Sequence, residues 1–341
     1  MWPHGIVPYY IDLDTYTTGY SRWSIKQAVS AGLQYLQSVS CIKFIELSKL
    51  DSVTLALIGH RHAVRVYNGP GCWSHSGCSG CHLRRNRNTT QTLSLSSSCA
   101  NDEIVQHEFG HVLGVTHEHT RTDSHLHIGV NYSLVSDPTA FYRKIHPEFV
   151  NFAPYDLSSI QHYQTPAIVT RRPEDAWLKA GMGKLTHYDE WNINSAYCSA
   201  GCDRSYCMND GYVTGSGGRC RCKCPEGLTG SRCETTTTGN QYGCGGVVYL
   251  TGHTPSYFLR TPNYPSNYKS RLRCVWLVKA PRGKIIHSSI EYMDIPATSS
   301  GCKHSVEIRD RLVGQVAREN CGNAILTVSP LKAHQILLSL F

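Results

Sequence analysis

Sixteen cysteines punctuate 341 residues, and their spacing constrains the fold more than any other feature. Six of them, Cys202, Cys207, Cys220, Cys222, Cys224 and Cys233, crowd into 32 residues, too short a stretch to bury a core without covalent staples. That stretch separates two longer regions. An even cysteine count in a chain rich in Gly, Tyr and Ser predicts disulfides, and hence an oxidising, extracellular compartment. Two sequons, Asn88-Thr89-Thr90 and Asn131-Tyr132-Ser133, fit a secretory route and a glycoprotein. Met1-Trp2-Pro3-His4-Gly5 does not read as a signal peptide, and no apolar run is long enough to span a bilayer, so no membrane insertion is expected. The net charge of +8 reads as spread, with modest clusters at Arg84-Arg85-Asn86-Arg87 and Arg171-Arg172 that suit solvated loops. Basic and aromatic residues are not interleaved as on a nucleic-acid surface, so no nucleic-acid partner is expected; attraction to acidic substrates or matrix polymers stays open.

The chemistry concentrates at residues 107–123. His107 and His111 are four apart, so on a helix their imidazoles stand one above the other and can share a metal ion. Glu108 turns toward the place of a metal-activated water and is set to act as base rather than ligand. Gly114 permits the positive φ at which the chain can leave the helix and bring back His117 as a third ligand. Three neutral imidazoles and one open position describe a catalytic zinc site. HExxH alone recurs by chance, whereas HExxHxxGxxH is far more specific and matches the metzincin pattern. The plainer alternative is a histidine-rich helix packed in a core, in a chain with 18 His.

Periodicity supplies the surroundings. Residues 7–11 read as a short strand, and Ile25, Ala28, Val29, Gly32, Leu33 and Leu36 predict an amphipathic helix over 23–38. Residues 41–46 alternate as a strand does, and Val53-Thr54-Leu55-Ala56-Leu57-Ile58 reads as a buried strand. Thr92-Leu93-Ser94-Leu95 predicts another. Asn101 and Asp102 are apt N-cap residues for a zinc helix over 102–113, and Asp102 and Glu103 put negative charge at its positive end.

With Glu118, Arg121 and Asp123 the motif becomes HExxHxxGxxHExxRxD and resembles the signature of the astacin family of zinc endopeptidases. Trp2, Pro3, Gly5, Val7, Pro8 and Tyr9 resemble the start of a mature astacin domain, and Asn192-Ile193-Asn194-Ser195-Ala196-Tyr197-Cys198 resembles its end. The resemblance implies an α+β two-lobed metzincin (zincin-like) catalytic domain over residues 1–200, made as a zymogen, with one zinc ion per chain on His107, His111 and His117. It implies the bridges Cys41–Cys198 and Cys72–Cys99. The pairing of Cys78 and Cys81 stays open; with no second CxxC nearby, a small loop disulfide is favoured over a metal or redox site. Ser159-Ile160-Gln161-His162-Tyr163 aligns with the family's tight turn beneath the metal, where Gln161 replaces the usual Met. An amide there costs burial energy unless it finds hydrogen-bond partners, so altered packing or weakened zinc affinity is expected. By the same resemblance Tyr163 hydrogen-bonds the developing oxyanion as a neutral donor, and Glu118 helps anchor the processed N-terminus. Arg121 and Asp123 read as structural ion-pair candidates.

Cys224-Pro225-Glu226-Gly227-Leu228-Thr229-Gly230-Ser231-Arg232-Cys233 resembles the CxxGxxGxxC end of an epidermal-growth-factor-like (EGF-like) module. For a module over 201–234 this implies the pairs Cys202–Cys220, Cys207–Cys222 and Cys224–Cys233. No acidic cluster precedes Cys202, so calcium is not expected there. Residues 235–243 read as a polar linker. Cys244-Gly245-Gly246, Thr261-Pro262-Asn263-Tyr264-Pro265, Cys274-Val275-Trp276 and Val306-Glu307-Ile308-Arg309-Asp310 resemble an all-β CUB sandwich over 244–341, with bridges Cys244–Cys274 and Cys302–Cys321. Lys303, His304 and Ser305 stand where many CUB domains carry a calcium-binding acid. After Cys321 the family's closing strands are not evident, so a truncated sandwich with open edges is expected.

Together these readings predict a secreted endopeptidase that cleaves extracellular matrix or secreted proteins with a zinc-activated water and Glu108 as general base, its EGF-like and CUB modules binding other extracellular proteins. The rival is a catalytically impaired binding protein, its site spoiled by Gln161, that acts through those modules.

Overall fold

The computed structural model describes residues 1–48, 51–81, 89–144, 151–180, 183–215, 219–238, 243–269, 271–299, 301–309, 313–323, 326–328 and 335–340. The Arg84, Arg85, Asn86 and Arg87 cluster, the Asn88 acceptor, Gly239 and Asn240 of the linker and Asp310 lie outside them. Contacts divide the chain into two compact units, Met1–Gly201 with Gly215–Gly217, and Cys202–Thr214 with Gly218–Phe341.

The first unit is built on a mixed sheet. Its strands are β1 (Ile6–Ile11), β2 (Lys43–Glu46), β3 (His62–Tyr67), β4 (Cys72–Ser74) and β5 (Thr89–Leu95), in the order β2-β1-β3-β5-β4, with only β4 antiparallel to its neighbour. Helix α1 (Gly19–Val39) buries the stripe Ile25, Ala28, Val29, Gly32, Leu33 and Leu36. The zinc-motif helix α3 (Asp102–Val112) packs against it and shares its core through Val105, Phe109 and Val112. Asn101 caps α3 by accepting from the Ile104 amide at 2.8 Å.

One element departs from the sequence reading. Residues 53–58, expected as a buried strand, lie mostly in helix α2 (Ser52–Leu57), capped by Asp51, whose side chain accepts from the Val53 amide. Only Leu55 is buried there, and Val53 and Leu57 face solvent. A six-residue apolar run carries too few periods to separate the two structures, and the cap decides. Further along, β6 (Ile128–Val130) pairs with β7 (Ile168–Thr170), and α4 (His187–Tyr197) ends at Cys198, which is bonded to Cys41. Cys72–Cys99 and Cys78–Cys81 close the loops around β4 and β5.

In the second unit Cys202–Cys220, Cys207–Cys222 and Cys224–Cys233 staple two small ribbons, β8 (Tyr212–Thr214) with β9 (Arg221–Lys223) and β10 (Leu228–Thr229) with β11 (Thr235–Thr236). The segment read as the start of a linker is structured through Thr238: Thr236 and Thr238 are buried, and the Thr238 hydroxyl accepts from the Val275 amide at 2.8 Å. Leu228 and Cys233 share a core with Val275, Leu277, Val313 and Leu337. The larger sheet runs β12 (Gly246–Tyr249), β13 (Cys274–Lys279), β16 (Gln335–Leu340), β14 (Val306–Arg309), β15 (Arg318–Asn320). Residues after Cys321 were expected to leave the sandwich open, yet β16 lies at the sheet's centre, antiparallel to β13 and β14. Its six residues, Gln335–Leu340, do not alternate in burial or polarity, so no strand period marks them in the sequence. Cys244–Cys274 and Cys302–Cys321 are bonded.

Candidate active site

Helix α3 presents His107 and His111 on one face, their rings 4.7 Å apart and nearly perpendicular. The chain turns at Gly114, whose φ of 99° a Cβ-bearing residue resists, and its amide donates to the His111 carbonyl. The turn brings the His117 ring to 4.5 Å from His111 and 5.4 Å from His107. One nitrogen of each ring lies within 4.8 Å of the others. His107 and His111 each engage a backbone carbonyl through Nδ1, Ile160 O at 2.8 Å and Val115 O at 2.7 Å. Those bonds place the protons on Nδ1 and leave Nε2 as a lone pair facing the cluster. The Nε2 atoms of His111 and His117 are 3.1 Å apart, and burial lowers the pKa of all three rings, His111 to about 3. Neutral nitrogens gathered this closely, with lone pairs converging, suit a divalent cation of borderline softness and fit zinc.

Glu108 is buried, and burial pushes its pKa up to about 7 against the opposing effect of the Ser74 hydroxyl. Its Oε2 has no hydrogen-bond partner among the described residues. Tyr163 lies 4.5 Å from the His117 ring and 4.1 Å from that of His119, and burial raises its phenol pKa, so it remains a neutral donor.

A family model described as Astacin, a peptidase family, matches residues 1–198. The chain belongs to the astacin family. Its histidine triad is the zinc-binding set typical of astacins. A CUB domain model matches residues 244–340. Among curated relatives, zinc metalloproteinase nas-36 of Caenorhabditis briggsae is 30% identical over 84% of this chain and 46% of its own length. Zinc metalloproteinase nas-38 of Caenorhabditis elegans is 33% identical over 77% of this chain and 37% of its own, and blastula protease 10 of Paracentrotus lividus is 26% identical over 99% and 55%. The chain spans about half the length of the curated relatives it matches.

In this astacin the turn beneath the triad is held by residues that sequence reading passed over. Asp189 accepts from Ser159 Oγ at 2.6 Å and from the Ile160 amide at 3.1 Å, while capping α4 through the Thr186 amide. It thereby fixes the Ile160 carbonyl that orients His107. The signal was present as Thr186-x-x-Asp189, a capping-box spacing. Gln161 is buried, and its Nε2 donates to the His107 carbonyl at 2.8 Å, so the amide finds one of its partners. Its Oε1 finds none among the described residues. His119, also missed, is buried with Nε2 against the Ala140 carbonyl; it stacks on His117 and packs at a tilt against Tyr163.

Glu118 accepts from Arg121 Nη1 at 3.0 Å and from the Asp156 amide at 2.8 Å. Arg121 also grips Asp123 through two bonds, at 2.9 and 2.8 Å. The N-terminal segment docks at the other end of α3. Trp2 is buried, its indole donating to the Val112 carbonyl at 2.8 Å, while Tyr197 donates to the Leu113 carbonyl at 2.8 Å. Two carbonyls that the helix end would leave orphaned are thus satisfied by side chains.

Proposed function

We propose that this astacin is a secreted zinc endopeptidase that hydrolyses internal peptide bonds of extracellular matrix or other secreted proteins. The observation that carries the reading is the convergence of three neutral imidazoles, two of them oriented by backbone carbonyls, next to a buried carboxylate with a free oxygen. When bound, zinc supplies Lewis acidity, polarising a peptide carbonyl and making water acidic near neutral pH. Glu108 takes a proton from the attacking water and returns it to the leaving amine, a two-way role suited to a carboxyl whose pKa lies at about 7. Tyr163 donates its phenolic hydrogen to the oxygen that gains negative charge. His119 packs against the Tyr163 ring at 4.1 Å between centroids and limits where it can turn. Ile160 and Asp189 keep the His107 lone pair aimed at the metal position. Secretion is supported by eight disulfides with no free cysteine, and no helix among the described residues is long and apolar enough to cross a membrane.

The test is zinc content together with cleavage of a mixed peptide library by the full chain. One zinc per chain and cleavage abolished by phenanthroline are expected. A folded chain that holds no zinc would overturn the metal assignment. Zinc without cleavage would favour the rival reading, a binding protein whose site is impaired at Gln161, where the unpartnered Oε1 is the observation on its side.

A further inference from the structure

Charge along this chain is segregated, although its basic residues look scattered. Residues 1–200 contain 16 Lys and Arg against 16 Asp and Glu, while residues 244–341 contain 12 against 5, so the CUB domain carries +7 of the chain's +8. Within it Lys269, Arg271, Arg273 and Lys303 fall at one end of the sheet, while Lys279, Arg282 and Lys284 fall at or beyond the other end of β13. Strands β13 and β14 both run antiparallel to β16, with Cys274 and Val306 each opposite Leu340, so both begin at the same end. Lys269, Arg271 and Arg273 lead into β13, and Lys303 leads into β14. The two approaches touch where the Tyr268 ring meets His304, 5.7 Å between centroids. Arg260 lies over two exposed rings, its guanidinium 5.8 Å from Tyr264 and 5.6 Å from Phe258, and Tyr264 lies 6.3 Å from Tyr292. Arg260, Lys269, Arg271 and Arg273 are exposed, as are Phe258, Tyr264 and Tyr292.

Among the described residues no carboxylate lies within ion-pair distance of Arg260, Lys269, Arg271 or Lys303. Arg273 pairs with Glu226, and the buried Arg309 lies between Glu226 and Glu307, so these four groups balance in charge. Arg271 sits at φ 60°, a left-handed conformation that a Cβ-bearing residue adopts at a cost and that tends to mark functional segments. Acids share this region, Glu226 reaching Arg273 while Glu307 and Glu319 face each other one residue inside the same end, so the bases free of a carboxylate partner among the described residues are Arg260, Lys269, Arg271 and Lys303.

We infer that this end of the CUB sheet binds a sulfated polysaccharide. Spaced Arg and Lys side chains match repeating sulfates and carboxylates, and exposed aromatic rings offer flat faces to the C–H sides of sugar rings. A disulfide-bonded chain meets such polymers where disulfides persist, and does not meet nucleic acid there. The site is independent of the zinc centre, so its test survives whatever the peptidase assay shows.

The experiment uses the full chain and a heparin dodecasaccharide, with dissociation constants measured across a salt series. Arg260→Gln, Lys269→Gln and Arg271→Gln together should weaken binding at least about tenfold at physiological salt and make log Kd against log salt shallower by about two to three. Neutralising Lys26, Lys43 and Arg61 of the catalytic domain removes the same formal charge and should change affinity by no more than about twofold. The charge-keeping set Arg260→Lys, Lys269→Arg and Arg271→Lys should hold affinity within about threefold, separating lost charge from lost folding. Equal losses in the two neutralised sets would overturn the site, as would no binding at physiological salt. Retention on phosphatidylserine vesicles but not on heparin would assign the patch to a membrane surface and overturn it as well.

Discussion

The two units handle charge in opposite ways. The catalytic unit is neutral in sum over residues 1–200 yet buries Glu108, Glu118, Arg121, Asp156 and Asp189, tying most of these groups to backbone amides, carbonyls or one another. The second unit, a disulfide-rich segment followed by the CUB domain, carries the chain's excess positive charge, largely on exposed side chains, and holds itself together with five of the eight disulfides. Buried charge is weakly screened and geometrically fixed, which suits proton transfer. Exposed charge is screened within about 10 Å at ordinary salt, which suits reversible capture of a polymer. One chain therefore separates chemistry from attachment, and substitutions in one unit should leave the other's function alone.

The largest effect tests that separation directly. Glu108→Gln removes the proton carrier and should lower kcat by about 10²- to 10⁴-fold, with zinc content and heparin affinity unchanged. A variant retaining full peptidase activity would refute the general-base role. Parallel loss of heparin binding would show that the units are coupled.

Next in size is a covalent staple. Cys233 is fully buried and belongs to the core that joins the disulfide-rich segment to β13 and β16, so Cys224→Ser with Cys233→Ser should destabilise the second unit by about 2–5 kcal/mol. Hydrogen exchange should show β10, β11 and β13 losing protection together while α3 keeps its own. Protection lost only around β10 would mean the two modules do not share one core.

How much of this was legible beforehand depended on whether a signal was local. The triad and Glu108 stand within eleven residues of one helix and its exit turn, so their convergence followed from helix geometry. The apolar stripe of α1 was equally plain in its spacing. Asp189 and His119 were not, because their roles exist only once residues 159–163 fold beneath the helix, and no periodicity marks such a contact. Trp2 belongs to the same class: its indole caps a helix 110 residues away. The α2 misreading has the reverse cause, a local signal too short to decide. Charge segregation between the units was present in the sequence all along, but becomes visible only when bases and acids are counted by domain.

Gln161→Met probes a smaller imbalance inside the catalytic unit. Gln161 contributes one hydrogen bond, to a carbonyl already inside a helix, and leaves Oε1 buried without a partner among the described residues. Removing an unsatisfied buried acceptor is worth about 1–3 kcal/mol, set against about 1 kcal/mol for the lost bond. The variant should gain about 1 kcal/mol and melt roughly 2–4 °C higher, the shift appearing only in the catalytic unit's transition. A lower melting temperature would show that the amide's hold on His107 outweighs its orphaned oxygen.

The smallest effect concerns pH at the N-terminal segment. His60 stacks on Trp2 with ring centroids 6.0 Å apart and directs Nε2 at the Pro3 carbonyl, 3.2 Å away, while its buried Nδ1 has no partner among the described residues. Burial lowers its pKa, with the neighbouring His4 adding to the shift and the Pro3 bond opposing it. A folded state that binds this proton less readily than the unfolded chain loses stability as pH falls below the ordinary histidine value of about 6.5. His60→Phe keeps the stacking surface and removes the titration, so its stability relative to the parent should rise between pH 7.5 and 5.5. The gain is small, because a single imidazole titrates in this interval and its bond to the Pro3 carbonyl opposes the effect of burial. Melting of the catalytic unit, followed by calorimetry across this pH range, would read it. A gap independent of pH would mean that His60 opens to solvent and takes its proton in the folded state, so that the catalytic unit's hold on Trp2 does not depend on a neutral ring.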